Sequence, residues 1–552
     1  MHGLMMDFPL TLSHILDRAG RYYGYREVVS KLPEGTHRYT YGEFHVRVRK
    51  LMGALRSLGM EPGDRIATFG FNSYRHLELY FGIPCAGGVL HTLNIRLFAD
   101  QLRYVVNHAK DRFIFVDRAL VPQLEELASG FETVEGYVVM GGVPDGTTLT
   151  PAYDYDELLS AAEEAGPARL EERQAAALCY TSGTTGDPKG VLYDHRALVL
   201  HSFASCMADC LGVSERDTLL VVVPQFHANA WGLPFTAVMT GAKQVFPGPY
   251  MQAEHLADLI ETESVTLAAG VPTLWIGLYH YLKEHPKDTS SVTRMLVGGS
   301  AMPQSLIEAY EKEFGIPVLH AWGMTETAPL GTVARLKSNA ESLPEEHRYR
   351  LRAMQGMAPA GIEMRIVNDE GVHLPWDGEA VGEVEVRGPW VAGSYYNAPD
   401  GASRFTEDGW FKTGDVAAMD PSGFMRITDR TKDLIKSGGE WISSVELENA
   451  VMAHPGVREC AVVAVPDKQW TERPLAVVVP VEDAPELTLE LLHDHLMDRV
   501  AKWWLPDHLK VVDEIPKTSV GKFDKKVLRT MVAEGSLDLR GDGPRSEVAQ
   551  AS

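Results

Sequence analysis

Apolar positions recur along this chain in two alternating rhythms. Thr40 and Glu43 stand ahead of Val48, Leu51, Leu55 and Leu58, which share one face at helical spacing. A Thr-x-x-Glu pair closes reciprocally on the first amides of a helix, so a capping box opening an amphipathic helix is predicted. Gly63-Asp64 turns the chain into the apolar run 65–69, and a second helical pattern starts at Ser73. Further apolar runs at 113–116, 137–140, 219–223, 266–269 and 295–297 alternate with helix-length stretches. Such alternation points to an α/β fold of stacked, mainly parallel sheets covered by helices.

The texture changes after about Gly356. Short β-like segments at 363–367, 382–387 and 424–427 are separated by Gly, Pro and Asp turns, and they predict a distorted β-barrel. Asp429-Arg430-Thr431-Lys432-Asp433 is a charged hinge candidate. Beyond it the pattern predicts a small α+β unit: helix 444–452, strands 460–465 and 475–479, helix 487–502 and strand 509–512. The domain division is therefore 1–429, a hinge at 430–435, a C-terminal domain at 436–535, and a disordered Gly/Ser/Asp/Arg-rich tail at 536–552.

Composition narrows the class. Net charge is −23, from 52 basic and 75 acidic residues, which argues against nucleic acid or a broad anionic membrane as partner. Anionic substrates then need a local positive patch. Five scattered cysteines fit a reduced compartment and suggest no metal cage. The N-terminal MHGLMMDFPL lacks a basic flank and long apolar core, and no apolar run nears the ~18–20 residues of a membrane span. A cytoplasmic protein is expected.

The richest stretch is YTSGTTGDPKGV at 180–191, a strand-like run feeding a loop of small residues, with a helix predicted from about Asp194. Thr181, Ser182, Thr184 and Thr185 offer hydroxyls, Gly183 and Gly186 let backbone amides approach an anion, and Lys189 adds a point charge. The loop fits a triphosphate, but its spacing is not that of the common P-loop. VGGSAMP (297–303), AWGMTET (321–327), FKTGD (411–415), DRTKDLIKSGGEWIS (429–443) and PKTSVGK (516–522) follow in order. Together the six motifs resemble those of the adenylate-forming (AMP-binding) superfamily, and the likeness to bacterial medium- and long-chain fatty acyl-CoA synthetases covers about 10–535.

That resemblance implies a reaction and a cast of residues. A carboxylate is a poor acyl donor; ATP converts it to an acyl-adenylate with loss of pyrophosphate, and CoA then takes the acyl group. Thr181 and Glu326 are the implied Mg2+ positions. Gly299, Ser300, Ala301, His320, Ala321, Trp322, Gly323, Met324 and Thr325 are implied around the nucleotide. Asp415 can accept both ribose hydroxyls, and Arg430 supplies a fork of donors. Lys522 matches the lysine that bridges acyl carboxylate and α-phosphate, a task suited to a compact ammonium on a long stem. For the CoA step the resemblance implies rotation about Lys432, which brings Lys436, Ser437, Gly438, Gly439 and Trp441 to the cleft.

His227, Trp231, Val271, Gly298 and Gly323 are the implied acyl-pocket residues, with Leu233 and Met324 adding apolar surface. His227 is equally readable as a packed core histidine, and Trp231 either as a tunnel gate or as core. The stretch 226–231 holds no acid to pair an amino acid's ammonium. The thirty residues after Lys522 leave no room for a carrier domain, so diffusible CoA is the expected acceptor. A hydrophobic acid, medium- or long-chain, leads; a short sulfur-containing or aryl acid is the alternative, and a non-catalytic nucleotide-binding scaffold the alternative of another class. A homodimer is expected by resemblance alone.

Overall fold

The computed structural model describes residues 1, 3–181, 187–430, 433–437, 440–482, 484–518 and 522–537. Among them a seven-stranded sheet runs in the order Ala152–Asp154, Gly136–Met140, Asp111–Asp117, Arg65–Phe69, Val89–Thr92, Ala175–Tyr180, Gly190–Asp194. Its strands are parallel except the last pair. An eight-stranded sheet beside it runs Leu330–Val333, Val318–Gly323, Arg294–Val297, Leu267–Gly270, Thr218–Val221, Lys243–Phe246, Glu27–Leu32, Gly35–Thr40, antiparallel only at its two edges. The central strands are buried along their whole length, which explains why they read as unbroken apolar runs.

The helix predicted after Thr40 forms as Tyr41–Ser57. Glu43 N donates to Thr40 Oγ1 at 3.3 Å and Thr40 N to Glu43 Oε2 at 2.7 Å. Such a cap contributes about 1 kcal/mol. Val48, Leu51 and Leu55 are fully buried with Tyr41, Phe44 and Met52 in the main core, and Leu58 packs at its margin. The Ser73 pattern likewise becomes the helix Tyr74–Cys85, with Ser73 as its cap.

The β-rich stretch takes the form of a four-stranded antiparallel meander: Glu363–Val367, Val381–Arg387, Phe411–Met419 and Met425–Arg430. Isolated bridges Gly356↔Met425 and Val333↔Met357 tie it to the eight-stranded sheet.

The C-terminal sheet is built on the hairpin Val457–Asp467 and Thr471–Pro480, with His508–Val511 parallel to the second strand. A small hairpin, Ile435–Ser437 and Glu440–Ile442, pairs onto its edge. Helix Ser444–Met452 has the predicted bounds. The helix expected over 487–502 is shorter, Leu489–Leu496, because the apolar face ends there: Leu492 and Leu496 are buried, whereas Met497 to Arg499 are exposed. Helix Lys525–Ala533 was not predicted, its cationic start hiding an amphipathic face that buries Leu528. The hairpin Glu27–Leu32/Gly35–Thr40 and the strand Gly190–Asp194 were also missed. Polar edge positions such as His37 and Arg38, and a strand only five residues long, break the apolar run.

The predicted disordered tail needs one correction: Leu537 is buried in the C-terminal core, and only from 538 on does the tail lie outside the described residues. Thr431 and Lys432 of the hinge lie outside them too. On either side the lobes are knotted together. Asp429, 1 % exposed, accepts from Ser444 N at 2.8 Å and Ser444 Oγ at 2.6 Å. Lys525 Nζ meets Ser444 Oγ at 2.6 Å and the buried Glu448 at 2.7 Å.

Candidate active site

The C-terminal ends of parallel strands are where α/β sheets present ligand sites, and three such ends meet here. Thr218–Val221 leads to His227, Arg294–Val297 to Gly298-Gly299, and Val318–Gly323 to Met324. From across the seam the strand Phe411–Met419 brings Asp415. Between them lies a cleft of about 830 Å³ whose walls include Thr181, Lys189, His227, Trp231, Gly298, Gly299, Ala321, Trp322, Gly323, Met324, Thr325, Glu326, Asp415 and Lys522.

Trp322 is pinned in place by its neighbours. The register shifts between Trp322 and Gly323, a bulge that turns the indole toward the antiparallel sheet. A Cβ at Gly323 would lie 1.8 Å from the Pro329 carbonyl, so this turn admits no side chain. The indole belongs to the buried cluster that holds Val384, Val386 and Phe411, and its Nε1 donates to Asp415 Oδ2 at 2.8 Å. Trp322 is thus both a core aromatic and a cleft wall. Asp415 is 5 % exposed and lies across the ladder from Arg430.

Glu326 sits in the short turn Thr325–Thr327 and is 6 % exposed. Ala392 N donates to its carbonyl at 2.7 Å, and Tyr395 Oη to its Oε1 at 2.6 Å. Burial first, then the Glu326 charge, raises the Tyr395 phenol well above its ordinary range. Lys189 Nζ stands 5.5 Å from the Tyr395 ring centroid. The two ends of the Gly/Thr-rich loop are laced together: Thr181 N donates to Lys189 O at 2.9 Å, and Lys189 N to Thr181 Oγ1 at 3.1 Å. Ser182, Gly183, Thr184 and Thr185 lie outside the described residues.

Lys522 enters from the C-terminal unit. Its Cε lies 3.1 Å, and its Nζ 3.8 Å, from where a Cβ on Gly299 would stand; Val271 Cγ1 lies 3.3 Å from the same point. Gly299 has φ +86°, so glycine is required for both conformation and space. His227 is held neutral, its pKa pushed down to about 3 by burial and then by the Lys522 charge.

Trp231 lies on Gly298, its Cη2 3.2 Å from that residue's missing Cβ. Ala228, Asn229, Ala230 and Trp231 all have positive φ, an uncommon left-handed run at the His227 end of the cleft.

Other expected residues sit elsewhere. His320 is 1 % exposed and stands behind the wall, Nε2 3.3 Å from the Ser300 carbonyl and Nδ1 3.0 Å from Ala353 O, so it holds the turn that carries Ser300 and Ala301. Leu233 is fully buried in the core. The hairpin expected to serve CoA lies on the C-terminal sheet: Arg473 donates to Ser437 Oγ at 2.9 Å, Lys436 N to Glu472 at 2.8 Å, and Lys436 faces Trp441 in register. Gly438, Gly439 and Lys432 lie outside the described residues.

Tyr104, His201, Glu383, Tyr395 and Arg404 also line the cleft, and sequence reasoning missed them. Arg404 donates to the carbonyls of Lys412 and Thr413, and Glu383 Oε1 accepts from Gly414 N at 3.2 Å, which brackets the turn before Asp415. The doubled tyrosine at 395–396, abutting a glycine-bearing turn, was the one available signal.

The chain matches the family model for the AMP-binding enzyme over residues 16–396 and that for the AMP-binding enzyme C-terminal domain over 446–522. It is 48 % identical to a long-chain-fatty-acid–CoA ligase of Thermus thermophilus, covering 95 % of this chain and 96 % of that one. It is 45 % identical to a 3-methylmercaptopropionyl-CoA ligase of Ruegeria lacuscaerulensis, over 96 % and 98 %. In fold it superimposes on a crystal structure of an anthranilate CoA ligase in complex with anthranoyl-AMP, with a TM-score of 0.87 at 24 % identity, covering 96 % of this chain and 99 % of that one. With two family models and full-length relatives in agreement, the chain is a member of the AMP-binding enzyme family, on its branch of adenylate-forming CoA ligases.

Proposed function

We propose that the protein activates a medium- or long-chain fatty acid through an acyl-adenylate and passes the acyl group to CoA, releasing AMP. The observation that carries the reading is Lys522: a cation from the C-terminal unit lies in the cleft against Gly299, beside neutral His227. A poised ammonium there can bring an acid's carboxylate to the α-phosphate, which is chiefly work of positioning and charge stabilisation.

Each residue has a task in this scheme. Asp415 accepts from the ribose, its orientation held by Trp322. The base stacks along Ala321–Met324. Lys189 and the loop before it take the β- and γ-phosphates. Trp231, Gly298 and Val271 flank the acyl chain, and His227, being neutral, shapes the pocket without repelling Lys522. Glu326 and Thr181 are hard oxygen donors, one carboxylate and one hydroxyl, a set that suits Mg2+ because that ion keeps water and phosphate oxygens for its remaining positions. Held there by Glu326 and Thr181, Mg2+ would supply positive charge to offset that of the phosphates. After adenylation Lys522 must withdraw, and rotation about Lys432 exchanges it for the hairpin of Ser437 and Trp441, whose Gly438 and Gly439, having no side chains, suit the passage of a pantetheine arm.

A second reading, a ligase for a short sulfur-containing acid, has its support in the 3-methylmercaptopropionyl-CoA ligase relative. Purified protein given ATP, CoA and a panel of alkanoic, thioether and aryl acids is expected to release AMP fastest with medium- and long-chain fatty acids. Preference for the thioether acid would install the second reading; absence of acid-dependent pyrophosphate exchange with every acid would remove both.

A further inference from the structure

Glu326 is gripped by one short segment at both its backbone and its carboxylate. Ala392 N holds its carbonyl at 2.7 Å, and Tyr395 Oη holds Oε1 at 2.6 Å. The tyrosine itself is boxed in. Its ring meets Phe405 edge-on at 5.8 Å and 65°, and Phe411 at 6.5 Å and 74°. Gly401 makes space for it, since a Cβ there would come within 2.5 Å of Tyr395 Cδ2. On the same ring stands Lys189, 5.5 Å from the centroid. One side chain thereby joins two pieces of chain far apart in sequence, the phosphate loop and the Thr325–Thr327 turn.

We propose that Tyr395 is a positioning residue for the metal–phosphate end of the cleft: its hydroxyl sets the plane of the Glu326 carboxylate for Mg2+, and its ring seats Lys189 for the phosphates. The proposal rests on the roles given above to Glu326 and Lys189. The physical case is that of an outer-shell partner. A metal-binding carboxylate with a free torsion must be ordered each time the ion binds, whereas one held by a fixed donor is ordered beforehand. Loss of such partners costs about 10–100-fold in metal affinity. The hydroxyl and the ring act on different ligands, so they are separable. Tyr395→Phe removes the hydroxyl and leaves the ring; Tyr395→Leu removes both.

Isothermal titration of the full chain with ATP, without acid, over a series of Mg2+ concentrations tests this. Tyr395→Phe is expected to raise the half-saturating Mg2+ about 10–100-fold while leaving ATP binding in excess chelator unchanged. Tyr395→Leu is expected to raise the Mg2+ midpoint similarly and to weaken metal-free ATP binding as well. Retained metal-free binding by Tyr395→Phe also certifies its fold. Glu326→Gln run in parallel separates the layers. If it leaves the Mg2+ midpoint in place, the role of Glu326 falls and the proposal with it. If it shifts the midpoint and Tyr395→Phe does not, the role of Tyr395 alone is overturned.

Discussion

The indole N–H of Trp322 donates to Asp415 Oδ2 at 2.8 Å across the seam between the eight-stranded sheet and the antiparallel meander. Both groups are nearly buried, so the bond is unscreened and fixes one carboxylate oxygen. Trp322→Phe keeps the packing and deletes the donor. A hydrogen bond to a charged group contributes about 1.5–3 kcal/mol, so KM for ATP is expected to rise roughly tenfold or more. KM for CoA should not move; a variant with unchanged KM for ATP would show that Asp415 does not need this partner.

Gly299 leaves the room that Lys522 occupies. A methyl group there would stand 3.1 Å from Lys522 Cε, on a backbone with φ +86°. Gly299→Ala should displace the ammonium and add about 1–2 kcal/mol of backbone strain. The expected result is a fall in adenylation of about 10–100-fold, from misplacement of a catalytic group, with thioester formation from supplied acyl-AMP much less affected. Equal losses in both half-reactions would mean that the substitution damages the cleft generally.

Lys522→Ala gives the sharper form of the same contrast. Adenylation, followed as acid-dependent exchange of pyrophosphate into ATP, should be abolished. Transfer from supplied acyl-AMP to CoA should persist, because the proposed scheme gives Lys522 no task once pyrophosphate has left. Loss of both steps would sink the alternation between Lys522 and the hairpin of Ser437 and Trp441.

Much of this was legible in the chain because the signals are local. Thr40 and Glu43 announce their own cap, and the buried parallel strands show as apolar runs. The motif residues that meet at the cleft, among them Asp415, Glu326 and Lys522, were picked out for their chemistry. What escaped was relational. Tyr395 matters through Glu326, 69 positions away, and Glu383 through Gly414, 31 away; nothing in either residue's neighbourhood names its partner. His320 shows the reverse: its motif suggested the nucleotide, and its two ring nitrogens face the carbonyls of Ser300 and Ala353, a support its sequence neighbourhood did not announce. The hairpin Glu27–Leu32/Gly35–Thr40 was hidden because an edge strand keeps polar residues on its open side.

Several buried histidines set the acid limit of the fold. Burial lowers His76, His195 and His201 to about 4 and His227 to about 3, from 6.5. The unfolded chain therefore takes up protons as pH falls through 6.5, and the folded chain does so only near 4. Their stabilising effect is complete above pH 6.5 and is lost between about 6.5 and 4, at a cost on the order of 2 kcal/mol for each at pH 5. His201 makes the cleanest probe, because both ring nitrogens are buried without a hydrogen-bond partner among the described residues. In His201→Leu the urea midpoint should fall less steeply between pH 7 and 5 than in the parent; parallel curves would show that His201 takes its proton in both states.

The knot beside the hinge predicts a stability effect that does not depend on the chemistry. Lys525 is buried against Glu448 at 2.7 Å and Ser444 Oγ at 2.6 Å, and Asp429 takes the Ser444 hydroxyl. Two effects oppose here: the desolvation cost of the ions, and the stabilisation from their mutual attraction and its attendant hydrogen bonds. Removing one ion leaves the other's desolvation cost without that stabilisation, so Lys525→Met should destabilise the C-terminal unit by about 3–5 kcal/mol. Removing both ions abolishes both, and Lys525→Met/Glu448→Leu should recover most of that loss. Amide hydrogen exchange of the strands Val457–Asp467 and Thr471–Pro480, followed over a guanidinium series, reads that unit directly. If the double variant were as unstable as the single, the pair would be holding the Asp429–Ser444 junction rather than balancing its own charge, and the rigid element beside the hinge would have to include all four residues.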